Sequence, residues 1–138
     1  MMNKVKAYIE IGKDGTYGVY PDLNDGRLNY GLLGEGASVN EAVNDFKVSY
    51  EEMKTFHKEI GKPFVEAEFE YCYDLPSFMN YYTAYFSVAG LSRLTGINKN
   101  QLSQYVNGYR HPSPKTIEKI GAAVNAFAKN LSQVRLVP

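Results

Sequence analysis

The sequence predicts an α+β chain, with a small N-terminal βββαβ layer followed by an all-α domain built on two short helices hinged at a glycine. Three observations carry this. Up to about residue 73, apolar and polar residues mostly alternate with a period of two, broken by one long helical stripe; beyond 76 the spacing is three and four. Charge divides at the same place. Residues 1–75 hold 8 Lys+Arg against 14 Asp+Glu, a balance of −6, whereas residues 76–138 hold 7 against 1, a balance of +6. Finally, 138 residues with 44% hydrophobic and 14% aromatic content suit two small cores, which we place at 1–73 and 76–138.

Lys4 to Ile11 alternates, with Val5, Ala7, Ile9 and Ile11 on one face, and predicts a half-buried strand. Gly12-Lys13-Asp14-Gly15 is a hairpin turn, and Tyr17 to Tyr20 a second strand that Pro21 stops. Asp22 to Arg27 is loop. Leu28 to Gly34 is expected to form a third strand, with Gly31 and Gly34 inviting a bulge or a close backbone approach. Ser38-Val-Asn-Glu41 is a capping box opening a long amphipathic helix, whose stripe runs through Val39, Ala42, Val43, Phe46, Tyr50, Met53 and Ile60 until Gly61 and Pro63 end it. His57 extends the stripe and is expected to be a packing residue rather than a ligand or base. Phe64 to Tyr71 alternates again as a fourth strand, with Glu66, Glu68 and Glu70 on one face at spacings of roughly 6.8 Å. That spacing fits a solvated face or a negative docking stripe for a basic protein, and is wide for a shared metal. The single cysteine, Cys72, is expected to be a small buried side chain.

Asp74-Leu-Pro-Ser joins the halves, with Pro76 set to start a helix bearing Phe78, Met79, Tyr81, Tyr82 and Tyr85. Ser87 caps the next helix, where Leu91 and Leu94 point one way, Ser92 is small, and Gly96 ends it. Asn98 with Gln101 resembles a capping box for the following helix, which buries Ile97, Leu102, Tyr105 and Val106 and closes at Gly108. Ser113 and Pro114 start a last helix, with Ile117, Ile120, Val124, Phe127 and Leu131 in a heptad-like seam. Gln133 to Val137 is expected to be a short terminal strand.

Two helices hinged at Gly96 read as a helix-turn-helix. The outward side of the second carries Lys99, Asn100, Ser103, Gln104 and Asn107, groups that bond base edges and phosphates, and no carboxylate. With Ser87, Tyr109 and Arg110 they form the candidate DNA-binding set. Lys99 and Asn100, in the first turn, are placed to read bases; Asn107, Tyr109 and Arg110, past the helix end, to hold phosphates. A half almost without carboxylates is an electrostatic footprint for a polyanion, although opposite charges also serve to attract the halves to each other. One recognition helix spans few base pairs, so a homodimer or a higher even oligomer is expected. Tyr81 and Tyr85, or Val124, Phe127 and Leu131, are candidates for its interface.

The order of motifs resembles HicB-type antitoxins that carry a C-terminal helix-turn-helix. Tyr20-Pro21-Asp22-Leu23, Gly34-Glu35-Gly36 and Ser38-Val39-Asn40-Glu41-Ala42 correspond to the family's Pro-Asp-Leu, glycine turn and helix start. Leu91 to Leu94, Thr95-Gly96-Ile97-Asn98, Leu102-Ser103, Tyr105, Asn107-Gly108 and Pro112-Ser113 are similar to the repressor-like module. The chain departs between Leu23 and Gly34, where a compact Pro-Gly-Cys-like segment is replaced by the longer Asn-Asp-Gly-Arg-Leu-Asn-Tyr-Gly. The resemblance implies a partly formed RNase H-like fold in the first half. It also implies neutralisation of a small basic HicA-type ribonuclease toxin and repression of the chain's own operon at double-stranded operator DNA. Glu66, Glu68 and Glu70, then Asp22 and Asp25, are the candidate toxin-binding residues.

No apolar run approaches a membrane span and no signal segment opens the chain, so a cytoplasmic protein is expected. No nucleophile elbow, phosphate loop, HExxH or Cys/His zinc pattern occurs, and the first strand's apolar face offers no carboxylates for two-metal chemistry. Neither an enzyme nor a resident metal or cofactor is expected. The alternative function is a transcription regulator whose N-terminal domain senses a small ligand or another protein.

Overall fold

A computed structural model describes residues 2–138. The chain divides into two compact units, Met1–Ser77 and Phe78–Pro138.

In the first unit, strands β1 (Asn3–Ile11), β2 (Tyr17–Pro21) and β3 (Gly34–Gly36) precede helix α1 (Val39–Glu59) and strand β4 (Ala67–Tyr73). The sheet is mixed, in the order β3-β2-β1-β4: β1 is antiparallel to β2 and parallel to β4, and β2 is antiparallel to β3. The hairpin turns on Gly15, at φ +82°, with the Gly12 N–H bonded to the Thr16 carbonyl at 2.8 Å. Only glycine adopts that conformation without a Cβ clash. Period-two alternation sends Val5, Ala7, Ile9 and Val19 into the core, all essentially inaccessible to solvent. There α1 delivers Val39, Ala42 and Phe46, the Phe46 ring meeting Phe69 edge-on with centroids 4.9 Å apart.

Ser38 caps α1 by accepting from the Glu41 N–H at 3.1 Å, while the Glu41 carboxylate accepts from the Ala37 N–H at 2.8 Å. The reciprocal cap thus closes one residue earlier than the motif implies. His57 is buried, with Nδ1 3.0 Å from the Met53 carbonyl oxygen and rings of Tyr30 and Phe64 around it, so it packs. Ile60 is not in the stripe: it lies at the C-cap and is exposed.

The expected third strand at Leu28 to Gly34 shrinks to Gly34–Gly36. A Cβ on Gly34 would lie 2.4 Å from the Ala42 carbonyl oxygen and 2.5 Å from the Phe46 nitrogen, so β3 rests directly on the α1 backbone. The segment ahead of it is fixed by side chains instead. Arg27 pairs with Asp25 at 2.6 Å and donates to the Lys4 carbonyl at 2.7 Å, and its guanidinium lowers the Asp25 carboxyl to about 2. Tyr30 stacks on Phe64 at 4.6 Å and donates to the Val65 carbonyl at 2.6 Å; burial raises its phenol to about 12. Because Phe64 and Val65 are used this way, the fourth strand begins at Ala67 rather than Phe64.

The sheet face away from α1 mixes charges. In register, Lys4 lies beside Glu68, Lys6 beside Glu70, and Tyr8 beside both Cys72 and Tyr20. The Tyr20 hydroxyl donates to Glu10 at 2.6 Å, a bond that raises its phenol to about 12. Cys72 is half-buried on this face rather than in the core, and burial, reinforced by Glu70, raises its thiol.

The second unit is helical. Helix α2 (Leu75–Tyr82) starts in the first unit, with the Asp74 carboxylate accepting from the Ser77 N–H at 2.7 Å and Pro76 in the first turn. It ends before Tyr85, which lies in the following turn and is exposed. Helices α3 (Val88–Thr95), α4 (Lys99–Val106) and α5 (Pro114–Ser132) follow, α3 packing against both α4 and α5. The unit's buried residues are Leu91, Ile97, Leu102, Tyr105 and Ile120 among others; Leu94, expected beside Leu91, is exposed. Beyond Gln133 the chain has no secondary structure, so the terminal strand expected at Gln133 to Val137 is absent: Val134, Leu136 and Val137 are exposed. No helix of the described residues is long and apolar enough to cross a membrane.

Candidate nucleic-acid interface

The hinge between α3 and α4 is held by more than its glycine. Ser87 caps α3, accepting from the Gly90 N–H at 3.0 Å, and Gly96 ends it at φ +74° with its N–H on the Ser92 carbonyl at 2.8 Å. Two hydroxyls then latch the turn. Ser92 Oγ donates to the Ile97 carbonyl at 2.5 Å, and buried Thr95 Oγ1 donates to the Leu91 carbonyl at 2.8 Å while accepting from the Ile97 N–H at 3.1 Å. These bonds satisfy buried polar groups that would otherwise cost about 1–3 kcal/mol each, and they fix where α4 starts. In the sequence Thr95 stands only as part of the Thr95-Gly96-Ile97-Asn98 motif; its latching role has one signal there, a hydroxyl placed immediately before the hinge glycine.

The recognition helix α4 begins on Asn98, whose side chain accepts from the Asn100 N–H at 2.8 Å. The expected capping box is incomplete, because the Gln101 amide donates to the Tyr105 hydroxyl at 2.6 Å instead of reaching back to the cap. Leu102 and Tyr105 anchor the buried side. Lys99, Asn100 and Gln104 are exposed and Ser103 is half-buried, which places the polar set on one outward face. Asn107 occupies the C-cap, Gly108 reverses the chain at φ +79°, and Tyr109 is exposed. The Arg110 N–H bonds the Gln104 carbonyl at 3.2 Å, and its guanidinium donates weakly to the Gln104 side chain at 3.5 Å. Two candidate contacts are thus held against each other, in a bond weak enough to be exchanged for a phosphate.

Across the second unit the electrostatics are simple. Arg93, Lys99, Arg110, Lys115, Lys119, Lys129 and Arg135 are all exposed, and among the described residues none of them is in an ion pair. Among the dimer candidates, Tyr81 and Val124 are half-buried, and Tyr85, Phe127 and Leu131 are exposed.

The acidic candidates of the first unit are differently placed. Glu66, Glu68 and Glu70 are exposed, but Glu66 pairs with Lys54 and the other two lie beside Lys4 and Lys6. Asp25 is taken by Arg27, and Asp22 folds onto its own loop, accepting from the Asn24 N–H at 3.0 Å.

Residues 85–125 match the profile of a helix-turn-helix family, a span that contains α3, the latched turn, α4 and the first part of α5. Fold and site therefore define a class: a helix-turn-helix DNA-binding regulator of transcription. No curated protein and no solved structure matches the chain.

Proposed function

We propose that this regulator is the antitoxin of a HicA/HicB-type toxin–antitoxin pair. It neutralises a small basic ribonuclease by direct binding and represses its own operon from the cytoplasm. The observation that carries this reading is the joining of an acidic βββαβ unit, with its Pro-Asp-Leu, glycine turn and Glu-Ala helix start, to a basic helix-turn-helix unit. On this reading the first unit is a partial RNase H-like fold that has kept the sheet for binding; Val5, Ala7 and Ile9 occupy its inner face, and the chain performs no catalysis.

Co-expression with the basic protein encoded beside the gene tests the proposal. The pair is expected to purify as one complex, to lose ribonuclease activity, and to shift a fragment carrying the operon promoter. Operator binding without any toxin complex would support the ligand-sensing or protein-sensing regulator instead.

The operator-bound form is expected to be a homodimer or higher even oligomer, reading half-sites roughly 34 Å apart. Phe127 and Leu131 near the end of α5 and the apolar tail Val134, Leu136 and Val137 offer surface for the contact. Light scattering should give at least twice the 15.5 kDa chain mass at micromolar concentration. A monomer both free and on DNA would exclude this arrangement.

A further inference from the structure

We infer that the docking surface for the cationic partner is the outward side of α1, where Leu33, Val48 and Phe56 form an apolar centre edged by Glu51, Glu52 and Glu59. The inference rests on the proposed antitoxin function and adds the face that performs it.

Three observations converge there. First, Leu33, Val48 and Phe56 are 53%, 54% and 51% exposed, although all are large and apolar. They are not scattered: two adjoining shallow grooves share Glu52 and Phe56, one reaching Val48 and the other Leu33. Helical spacing puts Val48 opposite the buried stripe of Val39, Ala42 and Phe46, so the unit's own core makes no use of it.

Second, the unit's acidic excess remains uncompensated here. Glu66 has Lys54, Glu68 and Glu70 have Lys4 and Lys6 beside them, and Asp25 has Arg27. Asp45 accepts from the Glu35 N–H at 2.9 Å, and Glu41 caps its own helix. Glu52 and Glu59 are exposed and, like Glu68 and Glu70, in no ion pair among the described residues, but the groove they line sets three carboxylates, Glu51, Glu52 and Glu59, against one cation, Lys47.

Third, apolar anchors in a charged surround are the anatomy of a protein interface, in which a few desolvated side chains supply affinity and the ring supplies steering. A shallow groove on a helix gives little enclosure for a small molecule. The fitting partner is a small cationic protein that presents an apolar side chain ringed by lysine or arginine.

The test uses the full chain and, as probe, the purified basic protein encoded beside the gene. Three variants are compared: Val48→Asp with Phe56→Asp; Glu51→Lys, Glu52→Lys and Glu59→Lys together; and Glu66→Lys, Glu68→Lys and Glu70→Lys together. Operator binding, carried by the other unit, and circular dichroism serve as folding controls. The aspartate pair is expected to raise Kd about 100-fold with operator affinity unchanged. The first lysine triple is expected to slow association at low salt about tenfold and to flatten its salt dependence. The second should change either quantity by less than about threefold, since a surface charge outside the contact contributes little.

Parental affinity in the aspartate pair would overturn the inference while leaving the antitoxin function standing. A changed oligomeric state with unchanged toxin affinity would overturn it in favour of a second copy of this chain on that face. Failure of the parent itself to bind the basic neighbour would remove the function and the inference together.

Discussion

Replacing Lys99 and Asn100 together with alanine is expected to cost roughly 1–3 kcal/mol per side chain at the specific operator, and to relax sequence preference. Both lie in the first turn of α4, exposed, and their backbone is fixed by the Asn98 cap and the Ser92 and Thr95 latch. Neither supports the fold, so thermal stability should stay within about 0.5 kcal/mol. Alanine at Tyr109 or Arg110 should behave differently, weakening all sequences alike and, for Arg110, reducing the salt slope by about one. Electrophoretic mobility or fluorescence anisotropy on the operator and on a scrambled duplex separates the two patterns. Equal operator affinity for the double variant and the parent would sink the assignment of base reading to this turn.

The second large effect concerns the other unit. Gly34→Ala is expected to destabilise it by about 3 kcal/mol, at the upper end of overpacking costs. The added Cβ meets backbone on every side, with the Ala42 oxygen at 2.4 Å, the Phe46 nitrogen at 2.5 Å and the Phe46 Cα at 2.7 Å. Backbone cannot turn aside as a side chain can, so β3 must leave α1. For a unit of this size the melting midpoint should fall by roughly 12 °C or more. Gly31→Ala is the control, because nothing lies within 4 Å of a Cβ built there. Calorimetry on the full chain should show the change in the first unit's transition, with operator binding preserved. An unshifted transition would mean that β3 does not rest on the helix backbone.

Local chemistry was readable from the sequence, and long-range competition was not. The Asp14-Gly15 hairpin, the Ser38 cap, the hinge at Gly96 and the Pro114 start each depend on neighbours within about four residues, and each forms. Leu28 to Gly34 reads as a strand only while Tyr30 is regarded as a local residue; its ring and hydroxyl are spent on Phe64 and Val65, 34 and 35 positions away. Gln101 has the right spacing for a capping box, but a buried tyrosine hydroxyl one turn on competes for its amide and wins. The outward face of α4 followed from helical period alone. The α1 groove did not, because Val48 stands opposite the apolar stripe and Phe56 only at its edge, and the partner Leu33 comes from a distant segment. The Glu66, Glu68 and Glu70 stripe is purely acidic only along its own segment; the parallel neighbour places Lys4 and Lys6 beside Glu68 and Glu70, and Lys54 of α1 pairs with Glu66.

That parallel pairing also orders events during synthesis. Strand β1 sits mid-sheet, and its second neighbour, β4, pairs Asn3 with Ala67, across nearly the whole unit. While the chain is emerging from the ribosome, β1 and β2 can form a hairpin, but the sheet closes only after residue 73 has been made and the intervening helix is free. Closing so long a loop is the slow step expected for such a topology, whereas the helices behind it need only near neighbours. Domains fold from the N-terminus first as translation proceeds. Closure of the acidic unit can thus proceed while the helix-turn-helix unit is still being made, and on the proposed antitoxin function a nascent chain gains its toxin-binding unit before its operator-reading one.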